Sequence, residues 1–361
     1  MHIQEAQEAL MQAQHQPIHR IASIILELAF RQRASDIHLC PQTAHHTWLR
    51  YRIDGYMVTM ATFPNSLYQP LLVHIKVMAN LDITITHLPQ DGRFTMTTDS
   101  TIDCRINLCP TIFGQRAVIR MIADNPHIRL PQLGLSASQI DMIQMAVAKK
   151  QGMILTVGPT GSGKTVTLYS LLRYISAQSY TVLTACDPVE IYQEDISQTN
   201  VATHLGLDYP MLIKTFLRQD PDAMMLGEIR DKPTLEAAIQ AATTGHIVLS
   251  SMHTASTYST WSRIGHLGCE PSILANWLNL VIAQRLIRRI CTFCHKKVSS
   301  CPHCHDGYRG VIALFALRTG SEIVTTADNQ QTDHQDFEQQ AKSYIAQGIT
   351  DRQEVNRVLG Q

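Results

Sequence analysis

The chain has no apolar run long enough to cross a bilayer as a helix. Its longest stretches, around Ile21–Phe30 and Ile273–Ile282, fall well short of ~18 residues and are broken by polar groups. Nor does the N-terminus read as a secretory leader, since Glu5 and Glu8 stand where a basic and then an apolar segment would be needed. Neither charge is in excess: Lys+Arg and Asp+Glu are both 30 in 361 residues. This balance argues against a large basic nucleic-acid surface. Aromatic residues are only 6%, with no aromatic-basic stripe for stacking on single strands. There is no internal repeat and no low-complexity tract. Nine cysteines without a secretory signal do not read as a disulfide framework. The expectation is a cytoplasmic protein, long enough for two or three domains and, at 45% hydrophobic residues, with ample material for their cores.

Residues 1–123 read as an α+β unit. Pro17 opens a helical pattern with Ile18, Ile21, Ile24, Ile25 and Leu28 on one face. Leu49, Tyr51 and Ile53 alternate into Asp54-Gly55, a hairpin signal. A helix follows over Ser66–Ala79, then strand-like runs at Phe94–Thr97, Ile102–Leu108 and Arg116–Ile122. Residues 124–135 hold two prolines, an asparagine and a glycine without periodicity, and read as a linker. Ser136 is placed to cap a helix through about Lys149. Short apolar runs at Met153–Val157, Thr181–Ala185, Ala223–Leu226 and Ile247–Ser250 then alternate with helical stretches. That pattern is α/β: a mainly parallel sheet covered by helices. Beyond Gly310 the chain is polar and weakly patterned.

The first apolar run leads into Gly158, Pro159, Thr160, Gly161, Ser162, Gly163, Lys164 and Thr165, a full G-x-x-x-x-G-K-[ST] match. A helical pattern, Val166–Ser176, follows. Glycines let backbone N–H groups turn inward around phosphates. Lys164 supplies a point charge to the outer phosphates, Thr165 a hydroxyl for Mg²⁺, and the helix N-terminus its dipole. Downstream, the strand in DAMMLGEIRD (222–231) ends in Gly-Glu. Glu228, at the exit of a buried strand beside such a loop, is positioned to orient a water toward the γ-phosphate.

These blocks, with GHIVLSSMHT (245–254), AQRLIRRIC (283–291), ASDIHL (34–39), YRIDG (51–55), LPQDGRF (88–94) and the paired CRI and VIR strands, occur in one order. In that order the chain resembles the motor ATPases of type II secretion and type IV pilus assembly, over residues 30–315. It is most similar to the short competence-type members that serve DNA uptake. The resemblance implies a RecA-like P-loop ATPase core, a smaller N-terminal PAS-like α+β domain, and ATP with Mg²⁺. It implies a homo-hexamer at the inner face of the cytoplasmic membrane, working on a polytopic inner-membrane platform protein and not on nucleic acid. It assigns Asp187 and Glu190 to an acidic box around Mg²⁺, and His246 and His253 to a histidine box in which His253 senses the γ-phosphate. Arg105 and Arg120 resemble arginines that the N-terminal domain closes over the nucleotide, with the linker as hinge. Taken alone, His253 reads as a core histidine satisfied by backbone, and the two arginines as strand-surface residues. Cys186 departs from the family, which has a glutamate before Asp187.

Cys291, Cys294, Cys301 and Cys304 form C-x₂-C-x₆-C-x₂-C, a tetrahedral thiolate set for structural Zn²⁺. Reactive thiols are the alternative, and His295, His303 and His305 flank the site as substitute ligands. The other five cysteines read as small apolar side chains. The domain plan is 1–123, a linker at 124–135, the ATPase domain at 136–290, the zinc module at 291–310, and a tail at 311–361, helical or partly disordered. A pilus-retraction motor and a nucleic-acid-stimulated P-loop ATPase with a zinc module are the competing functions. The paired cysteines favour assembly over retraction.

Overall fold

The computed structural model describes residues 3–97, 101–122, 128–270, 276–297, 301–325 and 332–360. The chain divides into two compact units: Met1–Asp124 with Ile290–Gly310, and Asn125–Arg289 with Val311–Gln361. Residues 124–127 of the expected linker lie outside the described residues, as do 298–300 of the cysteine loop.

The first unit opens with helices α1 (Ile3–Ala13) and α2 (Ile18–Arg31). Strands β1 (Ala34–Pro41), β2 (His46–Ile53) and β3 (Tyr56–Pro64) follow, then α3 (Asn65–Met78), β4 (Gln90–Thr97), β5 (Thr101–Thr111) and β6 (Gly114–Ile122). The strands form an antiparallel sheet in the order β3-β2-β1-β6-β5-β4. Burial alternates along β2, β5 and β6, as expected when one face is packed and the other wet. The packed face meets the three helices: Leu10, Ile21, Ile25, Leu71 and Ile75 join Ile37, Leu49, Tyr51, Ile106 and Ile119 in one core. Asp54 and Gly55, both at positive φ, make the tight turn between β2 and β3. Strand β1 was visible only as a motif, because seven of its eight residues are buried and no alternation marks it.

The second unit is α/β. In chain order it contains α4 (Ala137–Ala148), β7 (Gly152–Val157), α5 (Lys164–Ser176), β8 (Val182–Cys186) and β9 (Ser197–Asn200). Next come α6 (Tyr209–Phe216), β10 (Ala223–Leu226), α7 (Lys232–Thr243), β11 (Ile247–Met252), α8 (Thr257–His266) and β12 (Leu278–Ile290). Strand β13 (Tyr308–Arg318) and helices α9 (Gly320–Thr325), α10 (Thr332–Ala346) and α11 (Arg352–Leu359) complete it. Strand order is β13-β12-β7-β11-β10-β8-β9, and the pairs from β12 through to β9 are parallel. Strands β7, β8, β10 and β11 are buried throughout, as a sheet with helices on both faces requires. One face packs on α4 and α5, the other on α6, α7, α10 and α11.

Two stretches differ from the sequence expectation. The second half of the 124–135 linker is anchored, with Leu130, Leu133 and Leu135 buried in the core of the second unit. Gly134, at φ 94°, offers its carbonyl to Gln340 Nε2 (2.7 Å) and Tyr344 Oη (2.8 Å). The segment beyond Gly310, expected as a helical or partly disordered tail, contains three helices, and it begins with a strand that was not expected, Ala313–Leu317 being buried in β13. On α11, Glu354 is fully buried, accepting from Arg288 Nη2 at 2.8 Å and from Arg357 Nε at 2.8 Å. Polar residues that satisfy one another inside a core leave no hydrophobic periodicity to read.

Candidate functional site

Strand β7 ends at Val157 and α5 begins at Lys164, so the chain must reverse over residues 158–163. Gly158, Gly161 and Gly163 take φ values of 149°, 77° and 90°, a region that a Cβ disfavours. Space is equally limiting. A Cβ at Gly163 would lie 2.7 Å from Gln284 Nε2, and one at Gly158 would lie 2.7 Å from Gln284 O. A glycine loop of this shape, capped by a helix N-terminus, offers main-chain N–H groups and a positive dipole end to an anion.

Lys164 folds across the loop, its Nζ donating to Gly158 O (2.8 Å) and Pro159 O (3.1 Å). Burial holds its pKa down; the Glu228 carboxylate opposes that shift and Arg285 adds to it. Lys164, Glu228 and Arg285 therefore share one electrostatic neighbourhood. The donor set fits a magnesium-bound triphosphate: amides and Lys164 for phosphate oxygens, and the Thr165 hydroxyl, one residue into α5, for the metal.

Glu228 is held from both sides of β10. Gly227 N–H donates to Ala185 O (2.8 Å) and Ile229 N–H to Ser251 O (3.0 Å), while Ser251 Oγ donates to Gly227 O (2.7 Å). One carboxylate oxygen accepts from Arg230 Nε and Nη2, both at 2.9 Å. The other lies 3.4 Å from His253 Nε2. The parallel register explains the meeting: Met252 pairs with Val157, so His253 and the glycine loop leave the sheet at the same edge. Ligands of open α/β sheets bind at this carboxyl edge.

His246 does not join them. Its carbonyl accepts from Gly152 N–H at the start of β7. It therefore lies at the opposite edge, roughly 20 Å away by strand rise. Its Nδ1 is 3.2 Å from Ala241 O and from Thr244 Oγ1. The two histidines flank a six-residue strand, so they occupy its two ends. His246 thus stands apart from the glycine loop, its ring against the turn that precedes β11.

Asp187 leaves β8 at the carboxyl edge, exposed, and its charge reaches Arg230 and Tyr209. Glu190 is also exposed, and no described contact joins it to Lys164 or Glu228. Strands β10 and β11 separate β8 from β7, roughly 14 Å at ordinary strand spacing. Cys186 is buried beneath this turn, its Sγ 3.8 Å from Tyr169 Oη. Burial pushes the thiol up to about 11, so it supplies no anion in a carboxylate's place.

In the first unit, Arg105 of β5 and Arg120 of β6 are direct cross-strand partners. Arg93 faces Arg105 from β4, and Asp36 faces Arg120 from β1. Asp36 is buried and its Oδ1 accepts from Arg120 Nε at 3.0 Å. The two predicted arginines thus stand together on the sheet face away from the helices, one of them oriented by a carboxylate.

The same unit contains the cysteine cluster. The Sγ atoms of Cys291, Cys294, Cys301 and Cys304 lie within 4.8 Å of one another, with Cys294 and Cys304 at 3.6 Å. Four thiolates at ~2.3 Å from one zinc sit about 3.8 Å apart, so the set fits that ion. The flanking histidines have other partners: His303 stacks on Phe293 at 4.2 Å and His305 Nδ1 is 3.4 Å from Asp306. Of the remaining cysteines, Cys40, Cys104 and Cys186 are buried; Cys109 is exposed and Cys269 half-buried.

Gln284, Arg285, Arg230 and Asp333 belong to the neighbourhood but were not singled out from sequence. Gln284 and Arg285 lie in the AQRLIRRIC block (283–291), the sequence signal for them, and the structure adds that neighbouring Ala283 pairs with Val157 before the glycine loop. Asp333 had no sequence signal.

The sequence model of one protein family, described as type II/IV secretion system protein, matches residues 11–357. A protein transport protein HofB homolog of Haemophilus influenzae is 37% identical over 353 residues, covering 97% of this chain and 75% of that protein. The type IV pilus assembly ATPase PilB of Acinetobacter baylyi is 34% identical, covering 96% and 67%. The crystal structure of the Legionella pneumophila ATPase DotB superposes with a TM-score of 0.71 at 20% identity, covering 92% of this chain and 94% of that one, a likeness of fold.

Proposed function

The chain belongs to the type II/IV secretion system protein family, and on that premise we propose that it is an ATPase motor for assembly of a pilus-like fibre. The fibre is a type IV pilus, a type II secretion pseudopilus or a competence pseudopilus for DNA uptake. The observation that carries the reading is the convergence of the glycine loop, Lys164, Glu228 and His253 at one sheet edge.

In this reading the loop amides of residues 158–163 and Lys164 hold the phosphates, and Thr165 and Asp187 serve Mg²⁺, with Glu190 completing the water network. Glu228 orients the attacking water as general base, and His253 registers the γ-phosphate through its contact with that carboxylate. Arg105 and Arg120 supply guanidinium charge as phosphate charge spreads. The four cysteines hold a structural zinc: with every position filled by thiolate, none is open for catalysis.

The motor works as a homo-hexamer, peripherally bound to the inner face of the cytoplasmic membrane through a platform protein. No described helix is long and apolar enough to cross a membrane. The test is fibre counting in cells whose own copy is replaced by the wild-type or the Glu228→Gln chain. An assembly motor gives fibres with the first and none with the second. Fibres that persist or multiply with Glu228→Gln would point to retraction instead.

A further inference from the structure

Arg285 stands one residue past Gln284, which packs against Gly158 and Gly163. Gln284 is itself held by Thr167 of α5, whose Oγ1 donates to Gln284 Oε1 at 2.8 Å. Side chains alternate along a strand, so Arg285 leaves on the other face from Gln284. Its Nη1 donates to Gln284 O at 2.9 Å and its Nη2 to Ala255 O at 2.6 Å. Ala255 lies two residues after His253. The guanidinium therefore bridges the strand beside the glycine loop and the loop that carries His253.

The far side of this bridge is equally fixed. Asp333 of α10 is buried and accepts from Thr257 N–H (2.6 Å) and Thr257 Oγ1 (2.7 Å) at the head of α8. Its charge favours the charged state of Arg285 against the desolvation that opposes it. The ring of Phe337, one turn further on α10, lies 5.4 Å from the guanidinium carbon. Arg285 and Lys164 are two partly buried cations that repel each other. An anion placed at the glycine loop relieves that repulsion, and a triphosphate's outer phosphates are such an anion.

We propose that Arg285 is a further nucleotide-binding residue, contacting the outer phosphates from within the ATPase unit, and that Asp333 is the positioning residue that aims it. This rests on the reading of residues 158–165 as the triphosphate site. It adds that the segment after β13 is part of the nucleotide machinery. Because Arg285 adjoins the His253 loop, its contact is with the γ-phosphate end and discriminates ATP from ADP.

The test measures binding of a fluorescent ATP analogue and of its ADP counterpart to the full chain, for wild type, Arg285→Gln, Asp333→Asn and Lys164→Ala. Arg285→Gln should weaken ATP binding about tenfold or more, the worth of one charge-assisted hydrogen bond, while ADP binding changes less than about threefold. Asp333→Asn keeps the shape and one acceptor for Thr257, and should lower the ATP-to-ADP preference about threefold, with KM for ATP raised more than kcat falls. An unchanged ATP-to-ADP preference in folded Arg285→Gln overturns the proposal. Should Arg285→Gln fail to fold, Asp333→Asn decides: a lowered preference supports the proposal and an unchanged one overturns it. Lys164→Ala separates the two levels. If it abolishes binding while the other variants do nothing, only Arg285 and Asp333 are misassigned. If it too binds normally, the triphosphate site itself is wrong.

Discussion

His253 Nε2 lies 3.4 Å from Glu228 Oε1, so a residue that follows β11 reports directly on one that follows β10. The contact exists because neighbouring parallel strands end together, and it links the residue proposed to sense the γ-phosphate to the candidate base. His253 is about half exposed, so the link is adjustable and not a packed core contact. Replacing His253 by Ala should leave stability nearly unchanged. It should lower kcat on the order of tenfold, about one hydrogen bond's worth in the transition state, with little change in KM. Steady-state hydrolysis against ATP concentration checks this; a wild-type kcat would remove His253 from the mechanism.

The cysteine cluster makes a compositional prediction. The purified chain should carry one zinc per protomer by metal analysis, and Cys291→Ser or Cys304→Ser should lose it. Structural zinc sites contribute folding energy directly, so these variants and chelator-treated protein should melt earlier. ATP binding at the other unit should persist. A metal-free wild type with unchanged melting would leave the cysteines without this role.

Glu354 predicts a pH dependence of stability. Burial pushes its carboxyl up, but the hydrogen bonds from Arg357 and Arg288 outweigh burial and hold it below its ordinary 4.5. A carboxyl with a depressed folded pKa contributes stability that is fully present above its unfolded value, near pH 4.5. That contribution is lost as pH falls through the lower folded value. Glu354→Gln leaves Arg288 and Arg357 without a countercharge and should cost about 3 kcal/mol or more at pH 7. Urea melts at pH 7 and pH 4 should show the variant's deficit shrinking in acid. An equal deficit at both pH values would contradict the account.

Much of this was legible in residues that backbone chemistry constrains. The glycines at 158, 161 and 163 are readable because only glycine takes those φ values without strain. Glu228 was readable because an apolar run ends in Gly227 immediately before it. What stayed hidden depended on pairing between distant segments. His246 and His253 look like one motif in the sequence, and only the strand between them shows that they face opposite edges. The apolar run Val311–Leu317 was itself a strand signal, whereas the stretch after residue 318 gave no periodicity because Asp333, Gln340 and Glu354 are satisfied by partners far away in sequence. The adjacency of Arg105 and Arg120 followed from two strand-like runs in a hairpin, but the buried Asp36 that orients Arg120 comes from the β1 motif.

The central claim is that a nucleotide held by Lys164 is hydrolysed by water that Glu228 orients. ATP hydrolysis and ATP binding measured on the same preparations of wild type and Glu228→Gln test it most directly. The account predicts that Glu228→Gln binds ATP as wild type does and hydrolyses it roughly 10²- to 10⁴-fold more slowly. Hydrolysis within a fewfold of wild type by Glu228→Gln would contradict it.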